Sequence, residues 1–343
     1  MFNTKRKRVV LINFFFRKPR SNGNYSIERS FSSFIFFLKK KKFKVNICIS
    51  PLESNGIFNR LLMILWAYFK QGDINHISGD INFINFFLNK KKTISTFLDC
   101  YLLQTLKGIK LFLFKKFWVF FPLRNSTFSV AISKNTKKEL IKVESSYESK
   151  IEVIPVCYHM SLKRSKKIFN HNKPRILIIG TSKNKNIINS IKSLKNICCT
   201  AVIIGDLNET ILKMLMKINL EYINYNNLSD KQMNAQYQKS DIILFPSVYE
   251  GFGLPIIEGQ VCGKVVITSN ISPMNDIAGV NGACLVNPYK VKEINKGVLK
   301  IINNKKYREK LISNGLKNSK YYSPKAVAKK YISLYYRLFG FKI

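Results

Sequence analysis

Two glutamates, Glu250 and Glu258, mark the stretch of this 343-residue sequence best suited to chemistry. They stand in Pro246-Ser247-Val248-Tyr249-Glu250-Gly251-Phe252-Gly253-Leu254-Pro255-Ile256-Ile257-Glu258, which comes after an apolar run, Ile242–Pro246, that reads as a buried β-strand. In open α/β sheets ligands gather beyond the carboxyl ends of strands, where Glu250 falls. Gly251 and Gly253 let backbone approach a ligand closely. The next helix opens with unpaired N–H groups and the positive end of its dipole, an anion site suited to a diphosphate. Glu258, about two turns into that helix, offers a carboxylate that can accept hydrogen bonds from a vicinal diol such as a ribose. The plainer alternative is an exposed loop acid and a solvated helix face.

The elements that position these residues come in two series. In the first half, strand-like runs Val9–Phe16, Phe43–Ser50, Asn75–Ile77, Thr93–Asp99, Phe128–Ile132 and Ile151–Pro155 alternate with helical ones. The helices are Ser26–Lys39, Phe58–Phe69 and a basic-aromatic stretch from Leu102 to Phe121. Residues 161–174 turn polar and basic and read as a linker. The alternation then restarts. Strands fall at Arg175–Gly180, Thr200–Gly205, Ile242–Pro246, Val265–Thr268 and Ala283–Val286. Helices lie near 186–195, 209–218, 230–239, 253–262, 290–303, 305–320 and 324–339. Strand-helix alternation predicts mostly parallel sheets with helices on both faces, and two such halves make a ligand cleft between them.

Glu-x7-Glu opening on Glu-Gly-Phe-Gly-Leu-Pro resembles the signature of the family-4 retaining glycosyltransferases. The likeness continues through Ile267-Thr268-Ser269-Asn270-Ile271-Ser272-Pro273, Ile277-Ala278-Gly279 and Leu285-Val286-Asn287-Pro288. Upstream it takes in Gly180-Thr181-Ser182-Lys183-Asn184-Lys185-Asn186 and Ser133-Lys134-Asn135-Thr136-Lys137-Lys138-Glu139-Leu140. It is strong from about 175 to 290 and weaker before 130. The resemblance implies an α/β fold of the GT-B type, two Rossmann-like domains facing a cleft. Residues 1–160 would bind the acceptor, 161–174 link, 175–322 bind the nucleotide-sugar, and 323–343 form a helix crossing back to the first domain. It implies a hexosyl transfer with retention of configuration, from a nucleotide-sugar donor to a glycan or lipid-linked acceptor.

By the same resemblance Glu250 contacts the donor sugar near the reacting carbon and Glu258 the ribose. Gly251, Phe252, Gly253 and Leu254 meet sugar and phosphate through their amides, and Lys185 meets the diphosphate. Lysine is abundant here, so Lys185 also reads as an ordinary surface cation. Relatives often place an arginine after the preceding glycine, where this chain has Thr181, so Lys183 substitutes or the phosphate is held less firmly. Gly23, after the first strand, is similar to the glycine loop that faces donor phosphates and acceptor, or is a plain turn. Relatives also end the strand matching Thr93–Asp99 in His-Asp, but here Leu98-Asp99 stands, leaving Asp99 as the remaining catalytic candidate. His76 reads as a core or surface residue rather than a catalytic one.

Composition limits the partners. No Asp-x-Asp occurs, which favours metal-independent chemistry with no cofactor beyond the donor substrate. Lys plus Arg number 58 against 19 acidic residues. The excess has three readings: coding bias, attraction to an anionic membrane surface, or nucleic-acid binding. The last is disfavoured because no helix-turn-helix, RNP-like or finger motif is present. The basic-aromatic stretches Phe31–Phe43 and Leu102–Trp118 suit either a lipid interface or ordinary amphipathic helices. The seven cysteines show no C-x-x-C spacing and read as reduced core thiols of a cytoplasmic protein. The longest uncharged apolar run, Leu61 to Phe69, is far short of a membrane span, so any membrane contact would be peripheral, on an inner face. Val9–Phe16 reads as a first buried strand rather than a signal peptide. The rival to an enzyme is a basic membrane- or nucleic-acid-binding protein on a degenerate, inactive GT-B fold.

Overall fold

Short β-branched and aromatic runs set between longer amphipathic ones give two parallel sheets, each six strands wide, in a computed structural model that describes residues 9–19, 26–41 and 43–340. The first series runs β1 Leu11–Phe16, α1 Ser26–Lys39, β2 Lys44–Ile49, α2 Ile57–Tyr68, β3 Ile74–Ile77, β4 Thr93–Phe97, α3 Tyr101–Thr105, α4 Gly108–Phe114, α5 Phe121–Arg124, β5 Phe128–Ala131, α6 Lys134–Val143 and β6 Ile151–Val153. The second runs β7 Arg175–Ile179, α7 Ile187–Ser193, β8 Thr200–Ile204, α8 Glu209–Lys217, β9 Tyr222–Tyr225, α9 Asp230–Lys239, β10 Ile242–Phe245, α10 Leu254–Val261, β11 Val265–Ser269, α11 Met274–Ala278, β12 Cys284–Val286, α12 Val291–Asn303 and α13 Lys305–Ser319. A last helix, α14 Pro324–Phe339, belongs with the first series, so one unit is 1–157 with 324–343 and the other is 158–323.

In the first unit the strand order is β2-β1-β3-β4-β5-β6. Side chains alternate across β1 as a pleated strand requires. Phe14 and Phe16 join Phe31, Phe34 and Leu38 of α1 and Tyr331 of α14 on one face. Phe15 meets Met63 and Ala67 of α2 on the other. Most of the apolar residues of the 31–43 stretch are thus turned inward, while Phe36 is exposed with Lys40 over its ring at 4.4 Å. Phe31, Phe34, Ile35 and Leu38 recur at helical spacing and are buried core, with the Phe34 ring stacked on Tyr331 at 4.6 Å. The basic-aromatic stretch after it is no single helix. Gly108 at φ +55° separates α3 from α4, and a π-helical turn over Lys115–Phe120 precedes α5 and its Pro122.

The second sheet runs β12-β11-β10-β7-β8-β9, so the strand order reverses between β7 and β10. Its edge strand β9 has no counterpart in the sequence reading. Tyr222 is exposed and the other three residues are half-buried, so the apolar signature of a central strand is missing. The polar stretch 161–174 lies along this unit, where the buried Asp241 carboxylate gathers it. Asp241 pairs with Lys167 and accepts from the backbone N–H of Asn170 at 3.2 Å and Arg175 at 2.8 Å.

His76 closes the first unit. It is fully buried on β3, with Nδ1 2.7 Å from the Tyr335 hydroxyl of α14 and Nε2 2.8 Å from Thr96 Oγ1 of β4. Burial drives its pKa from 6.5 down to about 3, so the ring is neutral in the fold. Unfolded chain protonates first as pH falls, and stability is lost progressively between about pH 6.5 and 3, by roughly 1.4 kcal/mol per pH unit from this group. Denaturant unfolding over that range should show a flatter acid limb in His76→Gln than in wild type, together with lower stability at pH 7.

Candidate active site

The reversal of strand order between β7 and β10 leaves the loops after these two strands side by side, and two asparagines join them. After β7 the chain passes Gly180, at φ +87°, into a tight turn over Lys183–Lys185. Asn184 donates its side-chain amide to the Tyr249 carbonyl at 3.0 Å, and its own carbonyl accepts from Val248 N–H at 2.8 Å. Asn186, left-handed at φ 59°, donates to the carbonyls of Pro246 at 3.0 Å and Pro288 at 2.7 Å. Asparagine tolerates this backbone better than most residues, and its amide reaches the carbonyls around it.

This stitching brings together two of the expected site residues. Lys185 Nζ donates to Glu250 Oε1 at 2.7 Å, with the two side chains 23% and 11% exposed. The ammonium also lies 5.0 Å from the centre of the Phe245 ring. Gly180 makes room for it, since a Cβ there would stand 2.9 Å from Lys185 Cγ. Below Glu250, Ser247 is fully buried, and its hydroxyl has no hydrogen-bond partner.

Gly251 and Phe252 lead into α10. The Phe252 ring is buried edge-on against Tyr322 at 5.6 Å. Gly253, at φ +103°, makes the left-handed turn that starts the helix at Leu254. Pro255 costs the first turn nothing, because its missing N–H would be unpaired there. Glu258, on the same helix, accepts from the Tyr237 hydroxyl of α9 at 2.6 Å. Tyr237 is fully buried. Burial, then the neighbouring carboxylate, hold its phenol well above its usual pKa, so it stays a donor.

The other expected residues lie elsewhere. Asp99 is exposed after β4 in the first unit, where Oδ1 accepts from Tyr101 N–H at 3.0 Å and starts α3. Leu98 beside it rests on Gly79, whose Cβ would fall 2.4 Å from Leu98 Cγ. Next to it Arg17 spans Glu28 at 2.9 Å and Asp80 at 2.6 Å. Gly23 lies outside the described residues. Asn184 and Asn186 stand in the segment included in the sequence resemblance, but their joining of the two loops, and the part of Tyr237 beside Glu258, escaped the sequence reading. Contacts between loops so far apart in the chain leave no mark on local spacing, and Tyr237 looks like an ordinary helical core residue.

With this geometry in hand, comparison with known proteins gives a consistent result. The profile of Glycosyl transferases group 1 matches residues 160–318. The O-antigen chain mannosyltransferase B of Escherichia coli is 31% identical over 104 residues, 30% of this chain and 26% of that protein. This chain thus matches only about a quarter of that relative's length. A glycosyltransferase of Rickettsia africae superposes with a TM-score of 0.72 at 19% identity, covering 96% of this chain and 98% of the other. An Anabaena protein solved with UDP and glucose gives a TM-score of 0.76 at 12% identity, covering 95% and 99%. Residues 160–318 thus match the Glycosyl transferases group 1 family, in a chain whose two Rossmann-like units have the GT-B fold.

Proposed function

We propose that this chain is a retaining, metal-independent hexosyltransferase that moves a sugar from a nucleotide donor to a glycan or lipid-linked acceptor. The observation that carries the reading is the Lys185–Glu250 pair at the strand-order reversal, beside the start of α10, with Glu258 braced by Tyr237 on the same helix. The relatives support the class: one is named for transfer of mannose to an O-antigen chain, and a neighbour of the same fold was solved with UDP and glucose.

Each group then has a task. Lys185 and the first amides of α10 hold the diphosphate and stabilise the charge that grows on it as the sugar leaves. Glu258 takes the ribose hydroxyls, its carboxylate oriented by Tyr237. Glu250 fixes Lys185 through one oxygen and meets sugar hydroxyls near the reacting carbon. The bond from that carbon to the diphosphate breaks, the acceptor oxygen bonds on the same face, and the departing phosphate oxygen takes the acceptor proton. No protein base is required at that step, which fits Leu98 at the place where relatives carry histidine. Asp99 is left to orient the acceptor.

Calorimetric titration with nucleoside diphosphates tests the ribose contact. Glu258→Ala should weaken binding by about 1.5–3 kcal/mol, the worth of a charge-assisted hydrogen bond, and Tyr237→Phe by about 1 kcal/mol. Unchanged affinity in both variants would remove Glu258 from the site.

Turnover measurements over a donor panel, with chelator present, test the rest. Glu250→Gln should lower kcat more than nucleotide affinity, and Lys185→Met should lower both. Leu98→His should raise turnover or leave it unchanged, and Asp99→Ala should lower it. Nucleotide binding without turnover of any donor, in wild type and Leu98→His alike, would mark an inactive copy.

A further inference from the structure

A surface helix of a globular protein ordinarily turns its polar side to water. α2 does the reverse. Met63 and Ala67 seat it on the core. At 100° per residue, Ile57, Phe58, Leu61, Leu65, Tyr68 and Phe69 cover one continuous outward arc with no polar residue in it. Ile57, Phe58 and Phe69 are 76%, 72% and 78% exposed, values usual for lysine rather than phenylalanine.

α4 carries a second face of the same kind. Ile109, Phe112 and Leu113 of α4, with Phe117 of the π-helical turn, are exposed, and so are Lys107, Lys110, Lys115 and Lys116 among them. The segments that carry the two faces are linked beneath them, on their half-buried sides. Arg60 of α2 stacks over the Trp118 ring at 4.7 Å, and Trp118 packs on Phe83 at 5.2 Å.

Charge selects the occupant. Residues 57–70 and 101–124 carry seven Lys or Arg and no Asp or Glu. A second copy of the chain would set these cations against one another. The boundary between acyl chains and anionic headgroups accepts both properties, because apolar residues enter the hydrocarbon while lysines snorkel to phosphate. Spanning is excluded by length: the 12 residues of α2 rise about 18 Å against about 30 Å of hydrocarbon. Among the described residues no helix is long and apolar enough to cross a membrane.

We propose that this face docks the chain on an anionic bilayer, with α2 and α4 lying in the interface plane and their outer residues among the upper acyl chains. The docking uses no residue of the Lys185–Glu250–Glu258 site and does not depend on sugar transfer. It keeps the lipid contact expected of the 102–118 stretch and adds α2, a helix with no lysine of its own, in place of α1, most of whose apolar residues are core.

Flotation of the full chain with vesicles of phosphatidylcholine, alone or mixed with phosphatidylglycerol, tests it. Wild type should favour the anionic vesicles by about tenfold or more, with binding falling as salt is added. Leu61→Gln/Leu65→Gln should lose about tenfold in affinity for them. Lys110→Gln/Lys115→Gln/Lys116→Gln should lose most of the anionic preference. Both variants should keep the wild-type melting temperature and nucleotide affinity; Phe58→Gln/Phe69→Gln replaces the first should it misfold. Wild-type vesicle binding in the apolar variants overturns the proposal, as does equal affinity for neutral and anionic vesicles. Absence of vesicle binding by a wild-type dimer that Leu61→Gln/Leu65→Gln splits would assign the face to a second copy instead.

Discussion

A parallel sheet whose strand order reverses cannot close over its own carboxyl edge at the point of reversal. The crossovers on either side leave in opposite directions, and the two central strands end beside each other with no helix above them. In the second unit those strands are β7 and β10, and the loops beyond them take their arrangement from this geometry. A cation from one loop and a carboxylate from the other meet at 2.7 Å, while side-chain amides from Asn184 and Asn186 satisfy the carbonyls that the turn leaves open. Each amide thereby ties the loop after β7 to the loop that carries the carboxylate. Local backbone and electrostatic site are therefore one structure.

The same arrangement explains why the lysine matters despite its abundance elsewhere. Most of the chain's lysines are exposed and screened by water, where a single charge is worth little. Lys185 is largely covered, lies near an aromatic face and has its counterion on the opposite loop. On the proposed function, a phosphate arriving beside it would meet a cation already partly desolvated and oriented, so less would be lost in reorganisation on binding. In that proposal the accompanying carboxylate would keep the site near neutrality when the phosphate leaves, favouring turnover over tight product binding.

Legibility in the sequence tracked the range of the contacts. Glu250, the two glycines and Glu258 lie within nine residues, so their spacing along a strand, turn and helix could be read directly. The pairing of Lys185 with Glu250 joins residues 65 apart, and Tyr237 reaches Glu258 from another helix; no periodicity encodes such meetings. Hydropathy showed where α1 and α2 are apolar but not which neighbour covers them. α14, from the far end of the chain, covers the first, while the outer arc of the second meets solvent. β9 was missed because an edge strand half in water lacks the apolar run that marks its neighbours. The glycine loop after β1 lies outside the described residues and adds nothing either way.

The placement of α14 has a consequence for biosynthesis. Translation completes the second unit at residue 323 while the first still lacks the helix that carries Tyr331 and Tyr335. Until that helix emerges, the rings of Phe31 and Phe34 and the imidazole of His76 have no cover on one side, although they are made before the whole of the second unit. Domains usually fold in the order of their synthesis. In this chain the last unit to begin is the first that can finish. The earlier one must wait with an aromatic surface bare, so a nascent chain cut short before residue 324 would be a natural client for a chaperone.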